Sequence, residues 1–553
     1  MVRNILFVMC DQLRWDYLGC SGHRSIRTPN IDALASRGVR FTRAYAQSTI
    51  CGSSRMSFYT GRYVQSHGAA WNNFPLKVGE ATLGDYLRPL GRRTVLVGKT
   101  HMAADREGMA RLGIDPASII GVRVAECGFE PFERDDGLHG SGPDGRYDPR
   151  PARYNDYLRA QGYAGDDGWD DWANAAADED GSLLSGWLLR NASRPARVAH
   201  EHSETPYMTR RAMAFIDEAG DEPWCLHLSY IKPHWPCIAP APYHAMYGAA
   251  DVPAPVRSPD ERDSPHPVYA EFMKSRVCRA FSRDEVRRAV IPAYMGLVSQ
   301  IDDQLGVLFD HLRARGIAGQ TMVVFTSDHG DYLGDHWMGE KDLFHDPSVR
   351  IPMIVFDPSP EADATRGTVC NALVESIDLV PTFVEACGGP AQPHRLEGRA
   401  LQPLLHGATE APWRSFAVSE YDYSMTPAAA ALGVAPMDAR LFMLFDGRWK
   451  YVHAPGFRPM LFDLAGDPGE LRDLGAEPRH RGECARMHEA LSRWGLRQSQ
   501  RTTISDDEIR AMGGASQRKG ILLGFWDEAE LPDDLVHDKW RPARERAMRD
   551  RGE

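Results

Sequence analysis

The chain has 553 residues, enough for a large buried core and for more than one minimal domain. Its 64 Lys+Arg against 76 Asp+Glu leave a net charge of −12, which argues against nucleic acid or an anionic membrane as the main partner while leaving room for a small anion held by local basic residues. Apolar runs stay well under the roughly 18 residues that span a bilayer, Met1-Val-Arg-Asn4 passes into a strand pattern without a signal-peptide layout, and ten cysteines without metal-finger or CxxC spacing complete the reading of a cytoplasmic protein without disulfides.

Ile5 to Cys10 is a continuous apolar run, the pattern of a central strand covered on both faces, and it ends at Asp11-Gln12. In open α/β sheets the carboxyl ends of strands carry the site. Thr28, Pro29 and Gly38 frame a short amphipathic helix as cap, first-turn residue and terminator. Val39 to Tyr45 reads as a strand leading to the stretch Ser48 to Arg62, where Cys51 stands four residues before Arg55 and a helix opens over Ser53 to Tyr59. The polar or small neighbours Thr49, Gly52, Ser53 and Ser54, the arginine and the helix start all favour negative charge at that thiol. Thr82 caps a further helix, and Thr94 to Gly98 is a short strand ending in Lys99-Thr-His101.

From about Ala103 to Pro206 the pattern changes. Gly, Asp and Pro are dense from Asp135 to Gly168, and Trp169-Asp-Asp-Trp172 opens an acidic patch through Gly181. This is expected to be an insertion with long loops, serving as a substrate-site lid, an oligomer contact or a plain surface excursion. A helix near Met208 to Glu218 precedes the strand Trp224 to Tyr230, which ends in Lys232-Pro-His234-Trp-Pro236. Pro292 to Arg315 is the clearest amphipathic helix, and Thr321 to Ser327 is a buried strand running into Asp328-His329-Gly330-Asp331, with Lys341 soon after. Ile351 to Phe356 is one more strand. The alternation over residues 1 to 390 predicts an α/β fold with a mostly parallel, doubly wound sheet flanked by helices.

After about Gly407 a hairpin signal, Leu441 to Phe445 and Arg448 to Val452 about Asp446-Gly447, joins a third strand at Met460 to Leu464 and a helix at Ala485 to Trp494. These predict a smaller C-terminal α+β subdomain with an antiparallel sheet. The expected organisation is a catalytic domain over 1–407 with an insertion at about 103–206, a subdomain over 408–500, and an extension over 501–553. The extension carries an apolar patch, Ile521 to Trp526, and is expected to embrace a neighbour in a homo-oligomer.

The polar residues that follow the strands are Asp11, Gln12, Cys51, Arg55, Lys99, His101, Lys232, His234, Asp328, His329 and Lys341. Asp11, Gln12, Asp328 and His329 offer two carboxylates, an amide oxygen and an imidazole, enough for one divalent cation; the imidazole favours manganese, and calcium stays open. Arg55, Lys99, His101, His234 and Lys341 would surround a tetrahedral oxyanion and stabilise charge as it moves to a leaving group. Trp71, Trp235 and Trp337 stand close enough in sequence to these residues to line a pocket or to pack in the core.

A set of motifs in fixed order carries a family likeness: Asp11-Gln12-x-Arg14, Thr28-Pro-Asn-Ile-Asp32, Cys51-x-x-x-Arg55 with Thr60-Gly61, Gly98-Lys-x-His101, Pro233-His-x-Pro236, Ser327-Asp-His-Gly-Asp331, and Leu461-Phe-Asp-Leu with Asp467-Pro-x-Glu470. Through residues 1 to 475 the sequence resembles the sulfatase branch of the alkaline phosphatase superfamily, which also holds phosphonate monoester hydrolases. The resemblance implies an alkaline phosphatase-like fold and oxidation of Cys51 to formylglycine, with a formylglycine-generating enzyme as partner. It implies that Asp11, Gln12, Asp328 and His329 bind the metal, and that position 51 attacks sulfur or phosphorus. Arg55 would orient the hydrated aldehyde, while Asn72, Lys99 and Lys341 would hold the non-bridging oxygens. His234, with Lys341, would protonate the leaving alcohol, and His101 would help expel the product. The usual modification signal has Pro or Ala two residues after the cysteine, where this chain has Ser53. Gly98-Lys-Thr-His101 resembles the sulfatases more than the phosphonate hydrolases. A small-molecule sulfate monoester is therefore the expected substrate, a phosphonate monoester or phosphodiester is the alternative, and a non-catalytic binder is the outcome if Cys51 stays a thiol.

Overall fold

The computed structural model describes residues 2–137, 153–408, 413–496, 503–512, 526–535 and 541–552. Fourteen strands occur among them: β1 (Asn4–Asp11), β2 (Val39–Tyr45), β3 (Arg93–Gly98), β4 (Glu130–Arg134), β5 (Ala175–Ala177), β6 (Leu183–Ser185), β7 (Trp224–Pro233), β8 (Thr321–Ser327), β9 (Arg350–Phe356), β10 (Thr368–Glu375), β11 (Ala417–Asp422), β12 (Arg440–Phe445), β13 (Trp449–His453) and β14 (Met460–Asp463). Eight of them form the main sheet in the order β10-β2-β9-β8-β1-β7-β3-β4. β1 lies inside it, paired in parallel with β7 on one side and β8 on the other. Only β9 runs against its neighbours β2 and β8. The mostly parallel sheet read from the apolar runs is thus the sheet observed.

Side chains of β1 alternate between two cores, as the pleat requires. Leu6, Val8 and Cys10 enter one core with the helices Glu204–Ala219 and Asp284–Ala314. Ile5, Phe7 and Met9 enter the other with α2 (Cys51–Thr60) and the helix Leu379–Ala386. Each such fully buried large side chain contributes roughly 1.5–3 kcal/mol, so this strand anchors both layers and fixes the height at which Asp11 emerges.

Two strands of the sheet escape the apolar-run reading. β4 and β10 are its edges, and β10 is half exposed along its first five residues, so its sequence alternates with polar residues and shows no continuous run. β4 falls inside residues 103–206, where a parallel pairing with β3 ties the stretch to the main sheet. The long helix begins at Asp284 and contains Pro292, rather than beginning there. The smaller sheet is antiparallel in the order β11-β12-β13-β14; β11, its edge, was not foreseen.

The chain divides into two compact units. The first comprises 1–391 with 396–498 and holds both sheets; the second comprises 392–395 with 499–553. Within the second unit the helix Arg541–Arg551 places Arg551 on Asp527. The apolar residues 521–525 and the insertion residues 138–152 lie outside the described residues. All ten cysteines are free. No helix among the described residues is long and apolar enough to cross a membrane.

Candidate active site

Because β1, β3, β7 and β8 are parallel neighbours, their carboxyl ends deliver Asp11-Gln12, Lys99 to His101, His234 and Asp328-His329 to one edge of the sheet. α2 meets them there with Cys51 as its first helical residue, preceded by Ile50 in extended conformation. Orphan amide groups and the positive end of the helix dipole therefore lie beside the sulfur. One of these amides, Gly52 N–H, donates to Asn72 Oδ1 at 2.8 Å. Residue 52 must be small for this contact: a Cβ there would come within 3.0 Å of Asn72 Cα and of its side-chain oxygen.

Lys341, His329 and His101 converge on the buried Cys51 sulfur. Lys341 Nζ donates to it at 3.0 Å, His329 Nε2 lies at 3.1 Å, and His101 is hydrogen-bonded to it. Burial by itself raises the thiol, but Lys341, His329 and Lys99 outweigh it and hold Cys51 well below its ordinary value. Lys341 in turn lies 3.4 Å from His234 Nε2, whose Nδ1 faces the Trp235 carbonyl at 3.1 Å. Burial opposes the Lys341 charge, yet the negative charge of Cys51 and Glu340 raises it above its ordinary value. Burial pulls His234 and His101 down, so both favour the neutral imidazole that can shuttle a proton.

Behind the sulfur, Arg55 is fully buried and locked by four acceptors. Its Nε donates to Asp328 Oδ2 at 2.8 Å and its Nη2 to Asp11 Oδ2 at 3.2 Å, while Nη1 reaches the Lys99 carbonyl at 2.9 Å and Ser229 Oγ at 2.7 Å. Lys99 Nζ adds an ion pair to Asp11 at 2.6 Å. Burial and Cys51 raise the Asp11 carboxyl, but Lys99, His234 and Arg55 prevail and hold it ionised below the ordinary range.

A divalent cation fits the remaining donors. Ligand atoms of Asp11, Cys51, Asp328 and His329 lie within 4.8 Å of one another and all four residues are buried. His329 Nδ1 is taken by the Gly330 carbonyl at 2.9 Å, which leaves Nε2 for the site. Gln12 holds a left-handed backbone at φ 66°, gives its N–H to Asp328 Oδ1 at 3.0 Å and its amide nitrogen to Asp331, and leaves its buried Oε1 without a partner. An orphaned amide oxygen beside two carboxylates and an imidazole is a cation ligand in waiting.

Most residues singled out in the sequence come together here, with Asn72 attached through Gly52. Lys232 does not: its ammonium is spent on Asn174 Oδ1 at 2.6 Å and the Pro236 carbonyl at 3.0 Å. Trp337 is held between Arg257 and Arg262, 4.3 and 4.9 Å from its ring, and is structural. Trp235 stays beside the His234 ring, and Trp71 packs on Tyr421. Sequence reasoning missed Ser229 and Asp136, and gave Asp331 no role of its own. Asp331 closes the Ser327-Asp-His-Gly-Asp331 motif and was visible there; Asp136, whose Oδ1 accepts from Thr100 N–H at 3.1 Å and His101 N–H at 3.2 Å, has no such signal.

A protein-family model described as sulfatase matches residues 3–389. The chain belongs to the sulfatase family. A second model, N-sulphoglucosamine sulphohydrolase C-terminal, matches residues 334–497 of this sulfatase, across the smaller sheet. Among curated relatives, it is 30% identical to the multifunctional alkaline phosphatase superfamily protein PehA of Trinickia caryophylli, over 90% of this chain and 96% of that one. It is 26% identical to the arylsulfatase of Clostridium perfringens, over 86% and 90%. Among solved structures, the phosphonate monoester hydrolase SpPMH of Silicibacter pomeroyi superposes with a TM-score of 0.79 at 28% identity, covering 91% of this chain and 98% of that one. The phosphonate monoester hydrolase of Agrobacterium radiobacter gives 0.76 at 27%, covering 89% and 95%. The sulfatase is thus a hydrolase of the alkaline phosphatase superfamily, with the fold expected of it.

Proposed function

We propose that the protein hydrolyses small-molecule sulfate monoesters with a nucleophile made from Cys51, and that Asp11, Gln12, Asp328 and His329 hold one divalent cation, manganese or calcium. The observation that carries this is the ring of Lys99, His101, His234 and Lys341 about a buried Cys51 sulfur, 3.0 Å from Lys341. Such a ring suits an ester whose non-bridging oxygens bear charge and whose leaving oxygen gains it. Formylglycine made at position 51 by a formylglycine-generating enzyme would supply a hydrated aldehyde as the oxygen nucleophile. The cation held by Asp11, Gln12, Asp328 and His329 would supply Lewis acidity there.

The chain's own residues account for the rest. Arg55 fixes the two carboxylates and, through the Lys99 carbonyl, the end of β3. Lys99, paired with Asp11, and Asn72, bound to the Gly52 amide, hold the ester's non-bridging oxygens. Lys341 and His234 form a neighbouring pair that stabilises and protonates the leaving oxygen. His101, at the Cys51 side chain, takes a proton there when the product leaves. A second reading, hydrolysis of phosphonate monoesters or phosphodiesters at the same site, draws on the two phosphonate monoester hydrolases that superpose on the chain.

The test joins mass analysis of the Cys51 peptide with turnover of paired aryl sulfate and aryl phosphonate esters. The expected result is a formylglycine mass, faster sulfate than phosphonate turnover, and a loss of at least about a thousandfold in Cys51→Ala. Phosphonate turnover far above sulfate exchanges the two readings. An unmodified thiol with no turnover makes the protein a binder, and full activity in Cys51→Ala overturns the nucleophile.

A further inference from the structure

Lys341 stands on a short segment whose backbone is anything but relaxed. Glu340 before it has φ 66° and Asp342 after it φ 104°, a left-handed pair of non-glycine residues that costs of order 1–3 kcal/mol each and persists only where surroundings enforce it. Three ties do so. The Glu340 carbonyl accepts from Tyr332 N–H at 2.7 Å, and the Asp342 carbonyl accepts from Thr49 Oγ1, two residues before Cys51. The third tie comes from the other sheet: Tyr421 Oη donates to Asp342 Oδ1 at 2.9 Å.

Tyr421 lies on β11 opposite Leu441 and is 1% exposed. Its ring is fixed by Phe272, Phe344, Tyr423 and Trp71, at centroid distances of 5.9, 6.4, 6.5 and 6.0 Å. The donor is therefore rigid, and the residue after Trp71 is Asn72, which holds the Gly52 amide beside Cys51. The aromatic cluster about Tyr421 thus ties the smaller sheet to the Lys341 segment and to Trp71, the neighbour of Asn72.

We propose that Tyr421 is a positioning residue for the reaction: by holding Asp342 in its left-handed conformation it sets Lys341 Nζ between Cys51 and His234, and the smaller antiparallel sheet is thereby part of the catalytic apparatus. This rests on the role given above to Lys341 at the leaving oxygen. Besides its ion pair with Glu340 at 3.7 Å, Nζ meets Cys51 Sγ and His234 Nε2 at 3.0 and 3.4 Å, and a long flexible side chain holds that position only if its backbone is fixed. A displacement of about 1 Å at such a group costs on the order of a hundredfold in rate.

The variant is Tyr421→Phe, which keeps the ring and its packing and removes only the hydroxyl, read with a good and a poor leaving group on the same sulfate, 4-nitrophenol and phenol. Loss of kcat of about tenfold on the first and about a hundredfold on the second is expected, with KM little changed, because Lys341 serves the leaving oxygen most when that oxygen is basic. Thr49→Val, cutting the tie on the opposite side, is expected to reproduce the pattern without touching the smaller sheet. Asp342→Asn, whose amide oxygen still accepts from Tyr421, is expected to lose less than Asp342→Ala. Unchanged kcat in Tyr421→Phe, or equal loss on both esters, overturns the proposal. A crystal structure of Tyr421→Phe gives an arm independent of turnover. Lys341 Nζ displaced from His234 supports the strap even if the wild-type protein hydrolyses neither ester, which would fault the functional reading alone; Nζ unmoved overturns the strap.

Discussion

Arg55 shows how the site is held at the scale of single residues. Its guanidinium has no exposure and spans Asp328 and Asp11, so the carboxylates that face the cation position are also its counter-ions. Breaking a buried pair by removing one partner strands charge in a low-dielectric interior and costs about 3–5 kcal/mol. Arg55→Met is expected to destabilise the protein by that order, read by denaturant unfolding. The same substitution frees the Lys99 carbonyl and Ser229, so activity should fall with stability rather than independently of it. Arg55 was legible in the sequence because it follows Cys51 by four residues, one turn along α2, which places both side chains on one helix face. Ser229 was not, since a serine inside an apolar strand has no marker until the strand lies beside an arginine.

At the scale of elements, the ends of strands decide where the chemistry sits. Gly98 closes β3 with φ 111°, in register with Ser229 of β7, and a Cβ there would lie 2.0 Å from the Ser229 carbonyl oxygen. Lys99 N–H donates to that same oxygen at 3.1 Å. Gly98→Ala is expected to cost about 1–3 kcal/mol from backbone strain and about as much again from overpacking, read as a lower melting temperature. It should also push Lys99 away from Asp11 and lower turnover. Glycine at this position is dictated by the close approach of two parallel strands. Gly98-Lys-x-His101 was visible as a motif; that its glycine is a spacing element between β3 and β7 became visible only with the pairing.

Across the whole molecule, the join between the two sheets of the first unit carries a buried ionisable group. Glu420 on β11 gives its N–H to the Gln47 carbonyl at 2.8 Å, and both its carboxylate oxygens face Gln65 N–H at 3.1 Å. Burial, partly offset by the Gln65 hydrogen bond and by Arg440, pushes its carboxyl up to about 8. An acid whose folded pKa lies above its unfolded value of about 4.3 costs stability once the unfolded chain ionises. The cost is absent at low pH, grows as pH rises through about 4.3 toward 8, and is complete above 8. Glu420→Gln is therefore expected to match the wild type in melting temperature near pH 4, to exceed it increasingly up to about pH 8, and to keep that lead above it. A difference that shrinks as pH rises would contradict this. Because β11 also carries Tyr421, alkaline loosening of this join should reach the Lys341 segment.

The sequence by itself determined the sheet and the chemical inventory. Continuous apolar runs such as Ile5 to Cys10 mark strands buried on both faces, and the polar residues ending them mark the edge where a site forms. Edge strands β4, β10 and β11 stayed hidden, because a strand with one free edge or face needs no apolar run to be stable. Only the tertiary structure decided which listed residues meet. It sent Lys232 to Asn174, bound Asn72 to the Gly52 amide, turned Gln12 so that one amide oxygen stays free, and set Asp136 and Tyr421 behind His101 and Lys341. These are contacts between segments tens to hundreds of residues apart, fixed by strand order and backbone sign, and no local pattern of side chains encodes them.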